Sequence, residues 1–276
     1  MSAKTDKKAG AGKIPVISSV LDIFEHTGNA ILTFFEKVGH LTAFTLRGVM
    51  HCFLPPTFFK QLMRQFIDIG YYSLPVVGMT ALFTGMVLAL QSYTGMTRFN
   101  AESAIAGVVV LSVTRELAPV LAGLMVAGRV GAAIAAEIGT MRVTEQIDAL
   151  TTLSVNPFKY LVAPRIIAGT ITLPILVLIG DVIGVFGGYA VAVYKLGFSP
   201  GSYMSQTWSI LESVDVVSGL VKAAAFGFIV TILGCYHGYH SGRGAQGVGA
   251  ATTNAVVSAS IMILIFNYFI TQIFFS

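Results

Sequence analysis

Charged residues are scarce in this sequence, since only 11% of its 276 residues are Asp, Glu, Lys or Arg. A soluble domain carries about 25% charged residues, so this deficit excludes the ordinary soluble class. The mean hydropathy is +0.78, and several uncharged runs are long enough to cross a bilayer. The sequence therefore predicts an all-α polytopic membrane protein.

Cysteine is rarer still, since the sequence has only Cys52 and Cys235, which lie far apart and give no disulfide framework. The N-terminus is not predicted to be a cleavable signal peptide, because the apolar run 14–21 is interrupted by Asp22 and Glu25 and no small-residue cleavage site follows. Membrane insertion is therefore expected to depend on the first true span.

Nucleotide and metal motifs are absent too. Gly12-Lys13 lacks the upstream glycine of a P-loop, and the GxGxxG match at 242–247 has neither a preceding strand nor a later acidic residue, which favours a flexible loop there. Cys235, His237 and His240 have no further ligand nearby, so we predict no metal site. Any dependence on ATP and Mg²⁺ must come from a partner chain, and this chain is predicted to bind no cofactor.

The formal net charge of +4 does not indicate nucleic-acid binding, because the positive residues cluster as the positive-inside rule expects. Fewer basic residues, Arg98, Lys195 and Lys222, are assigned to the outer side. This asymmetry predicts a cytoplasmic N-terminus and a C-terminus on the outer side. The inner set comprises Lys4, Lys7, Lys8, Lys13, Lys37, Arg47, Lys60, Arg64, Arg129, Arg142, Lys159 and Arg165.

Three regions follow from the hydropathy pattern. Residues 1–13 are predicted to be disordered and basic. Residues 14–60 are predicted to hold an amphipathic helix, either in the membrane interface or packed on the protein's own cytoplasmic flank. Its apolar side has Ile17, Leu21, Phe24, Ile31, Phe35 and Val38, and Pro55-Pro56 ends it. Residues 61–276 hold five spans, at about 69–97, 103–136, 166–194, 216–237 and 250–275, with a polar loop at 195–215.

Two features inside these spans depart from an apolar pattern. Arg115 and Glu116 lie mid-span, and such charges usually face a bundle interior or a wet cavity. Because adjacent helical residues do not face each other, each is expected to pair with another helix, either as a substrate-facing patch or as a structural brace. Asp181 is more simply explained by a hydrogen bond between helices. Gly180, Gly184 and Gly188 form consecutive GxxxG steps, best explained by packing within one subunit.

A short amphipathic helix is predicted over 140–150, with Thr140 as its N-cap and Asn156-Pro157 after it. Its residue pattern suits either the membrane interface or a groove on a partner domain.

Several blocks of the sequence resemble the MlaE-type permease family over about residues 60–275. They are Gly85-Met86-Val87-Leu88-Ala89-Leu90-Gln91, Arg115-Glu116-Leu117-Ala118-Pro119, residues 127–131, Ala136-Glu137-Ile138-Gly139-Thr140-Met141-Arg142, Thr144-Glu145-Gln146-Ile147-Asp148-Ala149-Leu150 and Asn156-Pro157. The resemblance implies the permease of an ABC transporter that moves phospholipids between the bacterial inner and outer membranes. It implies a homodimer in the inner membrane with cytoplasmic ATPase subunits and a periplasmic lipid-binding MCE-domain protein.

The resemblance also implies roles for particular residues. The helix near residue 145 would be a cytoplasmic coupling helix that fits a groove of the ATPase, with Arg142, Glu145, Gln146, Ile147, Asp148 and Leu150. A lipid cavity would include Leu88, Gln91, Tyr93, Arg115 and Glu116. Such a permease has no catalytic residues of its own.

A different class stays open on the residues alone. An ion- or proton-coupled secondary carrier would use Arg115, Glu116 and Asp181 and would need no ATPase.

Overall fold

The computed structural model describes residues 15–53, 58–99 and 101–276, and every regular element within them is helical. Five helices in these ranges are long and apolar enough to cross a membrane. The predicted all-α architecture with five spans is thereby confirmed. The predicted disordered segment 1–13 and the Pro55-Pro56 pair lie outside the described residues.

The five candidate spans are the helices α2, α3, α5, α7 and α8, and each one extends beyond the apolar window read from the sequence. The extension is expected because backbone hydrogen bonds from residue i to i−4 continue where the side chains turn polar. The helices are α1 (Pro15–Cys52), α2 (Phe59–Phe99), α3 (Ile105–Val143), α4 (Gln146–Thr152), α5 (Phe158–Tyr194), α6 (Pro200–Ile210), α7 (Ser213–Tyr239) and α8 (Gly244–Phe275).

The described residues divide into two compact units, with the boundary between Leu46 and Arg47. In the first unit, α1 exposes apolar side chains at Ile31, Leu32, Phe35 and Val38. A helix with an exposed apolar stripe and too many polar residues to span suits the membrane interface. The side chains of Ile17, Leu21 and Phe24, which belong to the same predicted stripe, lie outside the described residues.

In the second unit α7 is the central helix, and it packs against α3, α5 and α8. The apolar window of α7 is 61% buried, whereas that of α2 is 28% buried and that of α8 only 11%. Helices α2 and α8 therefore form the outside of the unit and present apolar side chains to lipid or to another protein.

The glycine repeat of α5 packs against α2, which confirms the predicted packing within one subunit. A Cβ atom added at Gly85 of α2 would overlap the carbonyl oxygen of Gly184, and one added at Gly184 would lie 3.2 Å from the carbonyl oxygen of Ala81. Only glycine permits the two backbones to come this close. The GxxxG spacing therefore serves packing within one chain.

Helix α2 is interrupted at Gly70–Ser73, where a single 3₁₀ turn separates Phe59–Ile69 from Leu74–Met96. Pro75 occupies the first turn of the second segment, where its missing N–H costs nothing. The Arg129 guanidinium of α3 donates hydrogen bonds to the Ser73 hydroxyl oxygen and to the carbonyl oxygen of Asp68. The interruption is thus fixed by an arginine from the neighbouring span.

Three local predictions were wrong. The supposed loop 195–215 contains helix α6, because Tyr203 and Thr207, one turn apart, are buried. Burial raises the pKa of Tyr203 to about 12. Thr140 is no N-cap, since it lies inside α3 and donates to the Ala136 carbonyl oxygen. The loop predicted at residues 242–247 is mostly helical as well, because α8 begins at Gly244.

Candidate functional site

Helix α3 contains two π-helical turns, Val113–Leu117 and Ala127–Gly131. The first carries Arg115 and Glu116, and the second carries Arg129. A π turn inserts one extra residue into a helix, and such turns are frequent at functional sites. The charges of the apolar part of α3 therefore lie where its backbone is locally widened.

Arg115 pairs with Asp215 at the start of α7. The Arg115 Nε and Nη2 atoms each lie 2.6 Å from Asp215 Oδ1, and the other carboxylate oxygen accepts a hydrogen bond from the Glu212 amide at 3.0 Å. Asp215 therefore caps α7 and also neutralises Arg115. The positive end of the α7 dipole favours this carboxylate as well.

Glu116 is bound by residues of both α7 and α8. Lys222 Nζ donates to Glu116 Oε1 and to the Arg115 carbonyl oxygen, both at 2.7 Å. On α8, Asn267 donates to Glu116 Oε2 at 2.8 Å and Thr271 donates to Oε1 at 3.0 Å. Asn267 and Thr271 are four residues apart, which places them on one helix face.

These six residues form what we call the charged cluster: Arg115, Glu116, Asp215, Lys222, Asn267 and Thr271. Asp215 and Lys222 are seven residues apart, two helical turns, so one face of α7 meets both charges of α3. The Arg115 guanidinium carbon also lies 4.2 Å from the centre of the Phe275 ring, a cation–π distance.

Exposure within the charged cluster is uneven. The side chains of Asp215 and Lys222 are 1% and 0% exposed, whereas those of Arg115 and Glu116 are 33% and 39% exposed. The α7 residues thus form a closed back wall, and the α3 residues present one donor and one acceptor to the open side. This arrangement can hold a polar group of a ligand within an apolar region.

Arg115 and Glu116 could be identified from the sequence, and each pairs with other helices as expected. Their four partners were not predicted. Asp215 was assigned to a loop and Lys222 to the outer set of topology charges, yet both are fully buried in α7. The spacing of seven between an acidic and a basic residue in an apolar run was the available signal.

The other residues predicted for the lipid cavity lie further along α2. Where α2 meets the first π turn, the facing residues are Val77, Ala81 and Thr84. Tyr93 instead contacts Phe198 edge-on, with ring centres 6.1 Å apart, while Leu88 is half-buried and Gln91 is exposed. The described contacts of the single chain do not bring Leu88, Gln91 or Tyr93 into the charged cluster, and their place in a lipid cavity stays a prediction.

Asp181 of α5 does not make the expected hydrogen bond between helices. Its side chain is buried, and neither carboxyl oxygen has a hydrogen-bond partner among the described residues. It is also not part of the charged cluster.

The predicted coupling residues lie at the junction of α3 and α4. Ile147 is buried and anchors α4, Leu150 is half-buried, and Glu145, Gln146 and Asp148 are exposed. Arg142, at the end of α3, pairs with Asp148 of α4 at 2.9 Å. Glu145 joins the two helices with φ +58°, so α4 turns away from α3 instead of continuing it.

A second ion pair lies near this junction and links α3 to α5. Arg165 of α5 is fully buried, and its Nη2 atom lies 2.7 Å from Glu137 Oε2. Its Nη1 atom donates to the Leu161 carbonyl oxygen at 2.7 Å. Glu137 also lines an open cleft of about 600 Å³.

Five apolar spans around buried charges, with a short polar helix between two spans, define a class of protein: the multi-pass membrane subunit of a transporter. The comparisons make this specific. The family model "Permease MlaE" matches residues 62–273, and the chain belongs to the MlaE permease family.

Similar proteins from distantly related organisms are also described as permeases. The chain is similar to a "Probable ABC transporter permease protein" of Rickettsia bellii, with 60% identity over 93% of this chain and 99% of the relative. It is 41% identical to a similarly named protein of Synechocystis, over 78% of this chain and 82% of the relative. The "Intermembrane phospholipid transport system permease protein MlaE" of Haemophilus influenzae is 35% identical over 93% of this chain and 98% of the relative. The chain is therefore an ABC transporter permease, a transporter component and not an enzyme.

Proposed function

We propose that this permease moves phospholipids between the inner and outer membranes, driven by a separate ATPase. The observation that carries the proposal is the continuity of α3, which holds Arg115 and Glu116 of the charged cluster in its first half and leads into α4 at its C-terminal end. A phospholipid needs a polar contact for its headgroup and apolar walls for its chains. The charged cluster and the surrounding apolar spans supply both. The name of the Haemophilus influenzae relative supports the same substrate.

In this proposal α4 is the coupling helix that enters a groove of a cytoplasmic ATPase. Its buried Ile147 fixes the helix to the permease, and its exposed residues Gln146, Asp148 and Ala149 are available to a partner. ATP and Mg²⁺ would bind to that partner chain. Secondary carriage driven by an ion gradient is less well supported, because the family is one of ABC transporter permeases and Asp181 lies outside the charged cluster.

A homodimer is part of the proposal. Helices α2 and α8 leave most of their apolar windows unburied, and the cluster is open on its α3 side, so a second copy would complete the walls of a central cavity. An MCE-domain protein on the periplasmic side would receive or deliver the lipid. With five spans, the N-terminus would lie in the cytoplasm and the C-terminus in the periplasm of an inner-membrane protein.

Reconstitution tests the substrate and the energy source together. The permease, purified with its ATPase, is placed in liposomes that contain a fluorescent phospholipid, and transfer to an acceptor MCE-domain protein is measured. We expect transfer only with hydrolysable ATP and Mg²⁺. Transfer that follows an imposed proton or sodium gradient without ATP would contradict the proposal.

Substitution on α4 tests the ATPase contact. Ala149→Arg adds a long charged side chain to the exposed side of α4, and we expect recovery of the ATPase with the tagged permease to fall at least about tenfold, equivalent to 1.4 kcal/mol of binding free energy. Ser205→Arg is the matched control, because Ser205 is exposed on α6, the short helix between the next pair of spans. Equal recovery from both variants would exclude α4 as the contact.

A further inference from the structure

We infer that Glu137 and Arg165 are positioning residues that make the ends of α3 and α5 move together when α4 is displaced. The inference rests on the proposed function, since it assigns these residues to the step that couples ATP hydrolysis to lipid movement. Neither residue belongs to the charged cluster or to the exposed side of α4.

The connections of α4 are already stiff on both sides. Towards α3, the Glu145 amide donates to the Arg142 carbonyl oxygen at 3.2 Å, and Arg142 pairs with Asp148. Towards α5, the Val155 amide donates to the Leu150 carbonyl oxygen at 2.9 Å, and Asn156 Oδ1 accepts from the Phe158 amide at 2.9 Å. Helix α4 is therefore held at both ends by short bonded turns.

The end of α3 and the start of α5 make few other contacts with each other, although the two spans meet further along, where Ala118–Val126 of α3 packs against α5. The last segment of α3, Ala132–Val143, packs mainly against α7 and α8 rather than against α5. The 2.7 Å pair of Glu137 and Arg165 is the described ionic link between this segment and α5. It closes a ring that runs along α3, through α4 and back along α5.

The burial of Arg165 keeps this ion pair closed. Arg165 is fully buried, whereas the Glu137 side chain is 54% exposed at the edge of the cleft. A buried guanidinium without a carboxylate is strongly unfavourable, so Arg165 holds Glu137 in place instead of releasing it to solvent. A displacement of α4 is then transmitted to both spans at once. Without the pair, the end of α3 and the start of α5 would be joined mainly through α4 and its two turns.

The test separates positioning from folding. Glu137→Leu combined with Arg165→Met removes both charges, so no buried charge is left unpaired, and the melting temperature of the detergent-purified complex should stay within about 4 °C of the wild type. ATP hydrolysis and phospholipid transfer are measured on the same liposomes. We expect hydrolysis to persist while lipid transferred per ATP falls at least about fivefold, the lower end of ordinary coupling free energies.

The control carries Glu36→Gln and His40→Gln, which remove an exposed pair within α1 and should leave the ratio unchanged. An unchanged ratio in the Glu137→Leu, Arg165→Met variant would overturn the inference. So would an equal loss of hydrolysis and transfer, because that result indicates general damage. If the wild-type complex transfers no phospholipid with ATP, the proposed function itself fails, and the inference fails with it.

Discussion

Replacing Glu116 with leucine is expected to lower the free energy of unfolding by about 3–5 kcal/mol, the range for breaking a buried ion pair by removing one partner. This variant leaves Lys222, whose side chain is fully buried, without its carboxylate partner. Lys222→Met instead leaves Glu116 without its lysine, but Glu116 is partly exposed and keeps its hydrogen bonds from Asn267 and Thr271. That loss should be smaller, about 1.5–3 kcal/mol. Glu116→Leu is thus expected to lower the free energy of unfolding more than Lys222→Met does.

Unfolding of the purified permease by SDS in mixed micelles measures these differences. The double variant, Glu116→Leu with Lys222→Met, is the control, and it should recover to within about 1–2 kcal/mol of the wild type because neither charge is left alone. Phospholipid transfer should be lost in the two variants that lack Glu116, since its partly exposed carboxylate is gone. If the double variant transfers lipid normally, the charged cluster is a brace and not a substrate contact.

Replacing Gly85 with alanine is expected to cost about 3 kcal/mol, near the upper end for overpacking, because the new methyl group meets a backbone carbonyl and not a flexible side chain. The carbonyl belongs to Gly184, at the closest approach of α2 and α5. The same two helices pack over most of their length, so the added atom should separate them and reduce the amount of folded protein in membranes.

Gly95→Ala is the matched control, because Gly95 lies in the same helix and an added Cβ atom meets nothing within 4 Å. Alanine is favoured over glycine in a helix by about 1 kcal/mol, so this variant should be as stable as the wild type or slightly more so. Thermal unfolding followed by fluorescence-detected size-exclusion chromatography compares the two. Equal melting temperatures for both variants would show that the α2 and α5 crossing relaxes without cost.

The spans could be predicted because each depends on a local property, a run of about twenty residues without charge. The α6 helix escaped prediction because it is short and polar, and it is held by Tyr203 and Thr207, which bury against other elements. The boundary between α3 and α4 escaped for a similar reason. Between the end of α3 at Val143 and the start of α4 at Gln146, Glu145 adopts the left-handed region, and no glycine marks the change of direction.

Only the α3 residues of the charged cluster could be predicted from the sequence. Arg115 and Glu116 stand out because charges in an apolar span are costly wherever they are placed. Their partners lie about 100 to 155 residues away in sequence, and that pairing is a property of the packed bundle. Lys222 was wrongly assigned to the outer side because basic residues near span ends usually report topology, whereas this one is paired inside the bundle.

The charge balance of the cluster has an electrical consequence. Arg115 and Lys222 contribute two positive charges, and Glu116 and Asp215 contribute two negative charges, so the pairs sum to zero. One elementary charge moved through the full membrane potential is worth about 2.3 kcal/mol per 100 mV. A neutral set of charges that shifts as a body does no such work. A movement of the charged cluster as one body is therefore expected to be insensitive to the membrane potential.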